Sequence, residues 1–317
     1  MNKAAPFFSI VIPAFNASKV ISSTIESILK QDEHDFEIII VDDNSDDCEE
    51  LVTVIEAFRL KKHDIKLFLS KVKLNGSGAR NKGVELSCGQ YIALLDADDE
   101  WLPTKLSRIR QVISSCNDQN AIFYSKVHIL SESDAKFSKI MPIKKFSKGK
   151  ETMASYLFGC VGFIQTSSIV ISRYAYDKIS FNPKFIRHQD YDFCIRADYH
   201  DMKFIFIDEV LSKYKMSSVS ANKKGETVAY SISWLLAMSK YLIKSDIHCF
   251  KAFKLSKKLN PLNGMRMFIF NYIFCTNKVK KDFLYSIYVK LLTKRKKVVF
   301  NFFIIGNTAK LYMCMIH

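Results

Sequence analysis

Long apolar runs are missing from this chain of 317 residues. No uninterrupted apolar stretch reaches the ~20 residues that a membrane-spanning helix needs. An export leader is not expected either. Lys3 precedes an apolar run from residue 7 to 15, but Pro13 interrupts it and no small-residue cleavage site follows, so the run reads as a strand. The eight cysteines, at 48, 88, 116, 160, 194, 249, 275 and 314, contain no CxxC pair and keep no regular spacing. A disulfide framework is therefore not expected; mostly buried thiols in a reducing compartment are. Internal repeats, low-complexity tracts and a Walker phosphate loop are also missing. These absences point to a cytoplasmic globular chain that could attach to a membrane face.

Acidic residues are scarce at one end only. Residues 235–317 hold 16 Lys and Arg against 2 Asp and Glu, while residues 1–234 hold 31 against 30. The first part is close to neutral and the last is strongly basic, which implies an anionic partner: nucleic acid or an anionic membrane surface. The basic residues sit beside aromatics, as in Phe250-Lys251-Ala252-Phe253-Lys254 and in the run from Lys294 to Phe303. Cations next to apolar rings suit a membrane interface, and equally a helical bundle that buries its rings and solvates its lysines.

What is present is a regular alternation of strand and helix. Residues 8–15 are β-branched and end in a turn. Residues 17–31 place Val20, Ile21, Ile25, Ile28 and Leu29 at helical spacing. Residues 36–41 form a continuous apolar strand, as expected where both faces of a parallel sheet are covered. Further helices are expected over 48–60, 79–88 and 105–115, and strands over 65–69 and 91–95. Strands over 121–130, 168–172 and 204–207 follow, with a loop over 131–150 and helices from 227 onward. The pattern predicts an α/β fold, a Rossmann-like doubly wound sheet with a basic, mainly helical C-terminal extension.

Ligands of such sheets lie beyond the carboxyl ends of the strands. Here those ends carry acid. Asp96, Asp98, Asp99 and Glu100 follow one strand; such like charges are costly together unless a cation or hydrogen-bond donors sit among them. Carboxylate oxygens suit Mg²⁺ or Mn²⁺ held jointly with substrate phosphates, although an ordinary acidic turn is as good a reading of spacing alone. Asp42 and Asp43 follow another strand, where a carboxylate could accept from a ribose hydroxyl or a base N–H. Capping of the next helix by Ser45 or Asp46 is the plainer alternative. Residues 75–83 form a glycine-rich turn whose Arg80 could meet a phosphate, although an ordinary turn with a surface arginine is the plainer reading. In His188-Gln189-Asp190-Tyr191-Asp192, the two aspartates cannot share a helix face, so one could turn to a cleft as a general base, although by composition alone the segment is only a helix start.

Taken in order, five segments resemble the family 2 glycosyltransferases with the GT-A fold: SIVIPAFN (9–16), VDDNSDD (41–47), GARNKG (78–83), LLDADDEW (94–101) and QDYDF (189–193). The resemblance covers about residues 7–215. It implies a transferase domain over 1–226, with a donor-binding half (1–115) and an acceptor half (116–226), and a basic helical region over 227–317. Pro13 and Phe15 would meet the nucleotide, one of Asp42 and Asp43 the uracil or ribose, and Arg80 the diphosphate or base. Asp96, Asp98 and Asp99 match the DxD-type cluster, with Asp99 as the direct metal ligand and Asp98 reaching ribose or metal. Asp190 matches the general base. The expected cofactor is Mn²⁺ or Mg²⁺. Two departures stand out: Gln189 occupies a position where glutamate is common, and residues 214–220 lack the histidine often found there.

The implied reaction is inverting transfer of a hexose from UDP-Glc or UDP-Gal. The similarity to enterobacterial O-antigen enzymes implies a GlcNAc-diphosphate-undecaprenol acceptor at the cytoplasmic face of the inner membrane, with no nucleic-acid partner. The rivals are a donor-binding protein without turnover, a sugar-nucleotide nucleotidyltransferase, which would need a glycine-rich N-terminal loop that residues 9–16 lack, and a nucleic-acid-binding protein using the basic tail. The latter would leave both acidic clusters without a purpose.

Overall fold

The computed structural model describes residues 5–61, 63–116, 118–216 and 227–293. One mixed sheet runs through it. The strands are β1 (Phe8–Ala14), β2 (Phe36–Asp42), β3 (Ile65–Leu69), β4 (Tyr91–Leu94), β5 (Glu100–Trp101), β6 (Ala121–Ser131), β7 (Ser138–Met141), β8 (Val170–Ser172) and β9 (Lys203–Met216). Their order is β3-β2-β1-β4-β8-β6-β9-β5, with β7 on β6. The first four are parallel, with Phe8 opposite Phe36 on one side and Tyr91 on the other. β8 then runs antiparallel to β4 and β6, and β9 returns parallel to β6.

The helices are α1 (Ile21–Leu29), α2 (Cys48–Leu60), α3 (Asn75–Glu85), α4 (Lys105–Cys116), α5 (Met153–Phe158), α6 (Arg173–Ile179), α7 (Gln189–Tyr199), α8 (Val228–Ala237), α9 (Lys244–Phe250), α10 (Pro261–Ile273) and α11 (Asn277–Thr293). Successive strand side chains point to opposite faces. Phe8, Ile10 and Ile12 of β1 pack with α1, α2 and α4 on one face. Val11, Ile92 and Leu94 pack on the other with α5, α6 and α7. The C-terminal helices join this second face: Trp234, Leu235, Phe250 and Phe253 belong to the same core as Phe158 and Phe193. Phe158 lies edge-on to Trp234 at 6.2 Å and to Phe250 at 5.0 Å.

Several local expectations are corrected. α3 starts at Asn75, four residues early, so the glycine-rich segment is a helical turn rather than a loop. The reason lies outside the segment: Asp43 Oδ1 accepts from the backbone N–H of Leu74 at 2.5 Å and of Asn75 at 3.0 Å, replacing a local cap. The stretch 131–150 is not a plain loop, since β7 pairs with β6 through Val127 and Met141. β9 extends to Met216 and pairs with β5, a two-residue edge strand that periodicity is too short to reveal. None of the seven described cysteines forms a disulfide, but only Cys194, Cys249 and Cys275 are buried, fewer than expected. Among the described residues no helix is long and apolar enough to cross a membrane. The basic run 294–303, the segment 217–220 and the residues before the 226/227 division lie outside the described residues.

Candidate active site

The parallel strands β1, β2 and β4 end on one edge of the sheet, and the acidic segments follow them there. Pro13 lies opposite Val41 in the β1–β2 pair, and Asp42 is the last residue of β2. Asp42 is buried; its Oδ2 accepts from the Ser45 N–H at 3.1 Å. Its Oδ1 is buried with no hydrogen-bond partner among the described residues. A buried carboxylate oxygen left unpaired is costly. Asp43 is committed differently. It holds the start of α3 and pairs with Lys73 at 3.1 Å, and the Lys73 ammonium lies over the Phe15 ring. Ser45 and Asp46 do not cap α2 as expected; they accept from Asn16 instead.

The cluster after β4 divides its labour. Thr24 of α1 donates to the carbonyls of Ala97 and Asp99 at 2.7 and 2.8 Å and so pins the turn. Asp99, expected as the direct metal ligand, is fully buried and not part of the cleft wall. Its Oδ2 accepts from Ser167 Oγ at 2.5 Å and Gln165 Nε2 at 2.7 Å, and its Oδ1 from the Lys215 N–H at 3.2 Å. Burial, with the charges of Asp96 and Asp98, pushes its pKa well up. Asp99 thus ties the turn to β9 and to the 165–168 segment. Asp98 is partly open to solvent, and burial together with Asp96 pushes its pKa up to about 6. Asp96 faces the cleft and pairs with Arg80 Nη2 at 2.5 Å.

Arg80 joins the two halves of the site. Its guanidinium is buried; burial opposes its charge, yet Asp96 and Asp190 together hold its pKa above the ordinary value. Nη1 donates to Gln189 Oε1 at 2.8 Å, and Gln189 Nε2 donates to the Phe185 carbonyl at 2.8 Å. The amide at 189 therefore orients Arg80 while carrying no charge, a job that a glutamate could not do for the carbonyl. Gly76 permits this approach: a Cβ there would meet Gln189 Oε1 at 3.0 Å and Arg80 Nη1 at 3.1 Å.

Asp190 and Asp192 split as helix geometry requires. Asp192 turns inward to an ion pair with Arg196 at 2.6 Å. Asp190 opens on the cleft, crowded by protein, and accepts from Thr166 Oγ1. Burial pushes its pKa up to about 6; Arg80 and Thr166 act in the opposite sense and Asp96 in the same one. Asp190, Arg80 and Asp96 line one cleft of about 320 Å³. A carboxylate with a pKa just below neutrality can accept a proton near pH 7.

Periodicity gave no signal for several other residues of the cleft. Gln165 and Thr166 come from a short helical turn before β8, and Tyr214 from β9. Tyr214 stays protonated, since burial and the surrounding aspartates raise its pKa. His188 holds φ at 60° before α7, stacks on Tyr191 at 5.7 Å and packs 4.9 Å from Trp234 of α8. Burial, then Lys258, Arg187 and Lys254, lower its pKa to about 3, so the ring is neutral. The C-terminal helices therefore back the cleft wall. Among the described residues, no group of three or more His, Cys, Asp or Glu side chains is arranged to hold a metal ion.

Both the sequence and the fold match known proteins. The family model "Glycosyl transferase family 2" matches residues 9–180. The chain is 43% identical over 296 residues to the amylovoran biosynthesis glycosyltransferase AmsB of Erwinia amylovora, covering 90% of this chain and 97% of that protein. It is 28% identical to the Escherichia coli UDP-Glc:alpha-D-GlcNAc-diphosphoundecaprenol beta-1,3-glucosyltransferase WfgD, covering 68% of this chain and 80% of that one. The fold matches the crystal structure of S. aureus TarS 1-349 in complex with UDP-GlcNAc, with a TM-score of 0.61, 14% identity and 96% coverage of both chains.

Proposed function

This chain belongs to glycosyl transferase family 2, and from that premise we propose that it moves a hexose from a UDP-sugar to a hydroxyl of a lipid-diphosphate-linked sugar, with inversion. The donor is UDP-Glc or UDP-Gal. The acceptor is GlcNAc-diphosphate-undecaprenol, and the product is a β linkage in a surface polysaccharide made at the cytoplasmic face of the inner membrane. The name of the E. coli relative supports the acceptor class. The observation that carries the reading is the meeting of Asp190, Arg80 and Asp96 in one cleft at the carboxyl edge of the sheet.

Asp190 takes the proton of the acceptor hydroxyl as that oxygen attacks the anomeric carbon. The bond from that carbon to the diphosphate oxygen breaks, and UDP leaves with the electron pair. One displacement on an α-linked donor gives a β-linked product. Arg80 offers fixed positive charge where negative charge develops on the diphosphate. The unpaired Asp42 Oδ1 accepts from the uracil N–H or a ribose hydroxyl, with Pro13 and Phe15 beside the base. Asp43 acts on the donor only indirectly, through the start of α3.

A divalent cation fits the residues present. Burial and Asp96 push Asp98 up to about 6 against the pull of Lys215, and hard oxygen donors suit Mg²⁺ or Mn²⁺. Asp98 and Asp96 would hold it, with phosphate oxygens completing the set, while Asp99 keeps the turn in place. When bound, such an ion supplies charge neutralisation for the leaving diphosphate. The reading is tested by incubating the protein with a panel of UDP-sugars and a GlcNAc-diphosphate-lipid analogue, with Mn²⁺ or Mg²⁺. Release of UDP with a β-linked product is expected. Absence of turnover with every UDP-sugar, or an α-linked product, refutes it.

A further inference from the structure

α10 has three polar side chains, Asn263, Arg266 and Asn271, among its thirteen residues, and the rest are mostly apolar. One side of it is packed. Gly264 lies so close to the Ser256 carbonyl that a Cβ would meet that oxygen at 2.6 Å, and Phe268 packs on Phe253 and Phe283 at 5.5 and 5.6 Å. Asn271 is buried and bonds His248. The opposite side carries Leu262, Met265, Ile269, Phe270, Ile273 and Phe274, each 52–62% exposed. Their spacing puts all six on one half of the helix surface. Single exposed apolar residues are ordinary, whereas a contiguous stripe along a whole helix marks an interaction site.

We propose that this face of α10 lies in the interfacial layer of an anionic phospholipid leaflet. Thirteen residues span only about 20 Å, too short to cross a bilayer, so the helix lies along the surface. The surrounding charge selects the occupant. Residues 227–293 hold eleven Lys and Arg against two Asp. Arg266 is exposed within the stripe, and the Lys280 ammonium sits at its C-terminal end, donating to the Ile273 carbonyl at 2.8 Å. A second copy of this chain, docked about a two-fold axis, would bring these cations face to face. An anionic lipid surface attracts them and accepts the apolar stripe. The packed side of α10 belongs to the core that contains Phe158 and Trp234 beside the cleft. Docking through the stripe would then hold the cleft at a set height above the lipid.

The inference deepens the proposed function, which takes the acceptor to be carried on a lipid, but its test needs no acceptor. The full chain is floated with vesicles of phosphatidylglycerol and phosphatidylethanolamine, or of phosphatidylcholine alone, at low and high salt. Binding to the anionic vesicles that weakens with salt is expected, and at least tenfold weaker binding when Ile269→Asn and Phe270→Asn are combined. In a separate variant, Phe270→Trp, the emission should shift to the blue when anionic vesicles are added. Failure of the wild-type chain to bind, equal binding by the double variant, or an unmoved Phe270→Trp emission overturns the proposal. A dimer abolished by the double variant, without vesicle binding, overturns it in favour of a second copy. Turnover of a short soluble acceptor analogue should be unchanged in the double variant. Its absence in the wild-type chain would count against the proposed reaction and not against docking.

Discussion

Replacing Asp190 by asparagine isolates the proton-transfer step. Asparagine keeps an oxygen for the Thr166 hydroxyl and nearly the same volume, so the cleft should retain its shape. Arg80 keeps its partners Asp96 and Gln189, so donor binding should change little. What is lost is the proton acceptor, and loss of a positioned general base costs about 10²- to 10⁴-fold in rate. The pH profile gives an independent reading of the same residue. The active form of Asp190 is the carboxylate, and its pKa is raised to about 6. Lowering the pH through that value protonates it, so turnover at pH 5 should be about tenfold below that at pH 7. Asp98 is also pushed to about 6, which would weaken donor binding in the same range. The measurement therefore follows kcat at saturating donor and acceptor, with UDP affinity determined separately by calorimetry. An Asp190→Asn enzyme with wild-type kcat, or a kcat that stays flat between pH 5 and 7, would refute the assignment.

Four other substitutions separate the roles of further groups. Asp98→Asn should abolish the Mn²⁺ dependence of UDP binding in a titration while leaving the melting temperature within a few degrees. Asp99→Ala strands two buried donors and a partly buried one, so it should cost about 2–4 kcal/mol in denaturant unfolding; full stability would show that those hydrogen bonds do not carry the turn. Asp42→Asn should weaken UDP binding about tenfold but leave inhibition by inorganic diphosphate unchanged, because the carboxylate is assigned to the nucleoside. Trp234→Ala should destabilise the whole chain by about 3–5 kcal/mol, since that ring fills the core behind His188. Selective melting of a C-terminal fragment, with the rest unaffected, would mean that the helices after 227 are an independent appendage.

The alternation of β-branched runs and amphipathic helices was legible because each strand of a parallel sheet is buried on both faces and each helix on one. β1, β2, α1 and α2 accordingly lie where the residue pattern puts them. The acidic segments were legible because strand ends are where such a sheet receives ligands. The elements that escaped are those whose residues have no local preference: β5 is two residues long, and β7 exists only because β6 offers it an edge. The start of α3 at Asn75 is decided by Asp43, thirty-two residues earlier.

For the site, sequence alone named the aspartates and their order along the chain. It set carboxylates at the strand ends and required Asp190 and Asp192 to diverge, but left Arg80 readable as an ordinary surface side chain of a turn. It did not distinguish Asp98 from Asp99, or Asp42 from Asp43, because adjacent residues of one type carry the same local signal. The tertiary structure distinguished them through donors that arrive from distant segments. Gln165, Ser167 and the Lys215 N–H occupy Asp99, and the first turn of α3 occupies Asp43, while among the described residues Asp98 and one oxygen of Asp42 receive no such donors. Basic composition likewise marked the C-terminal region without dividing it. Only packing decided that Trp234 and Phe250 turn into the core while one side of α10 stays open, because which face a helix buries depends on what the rest of the chain brings against it.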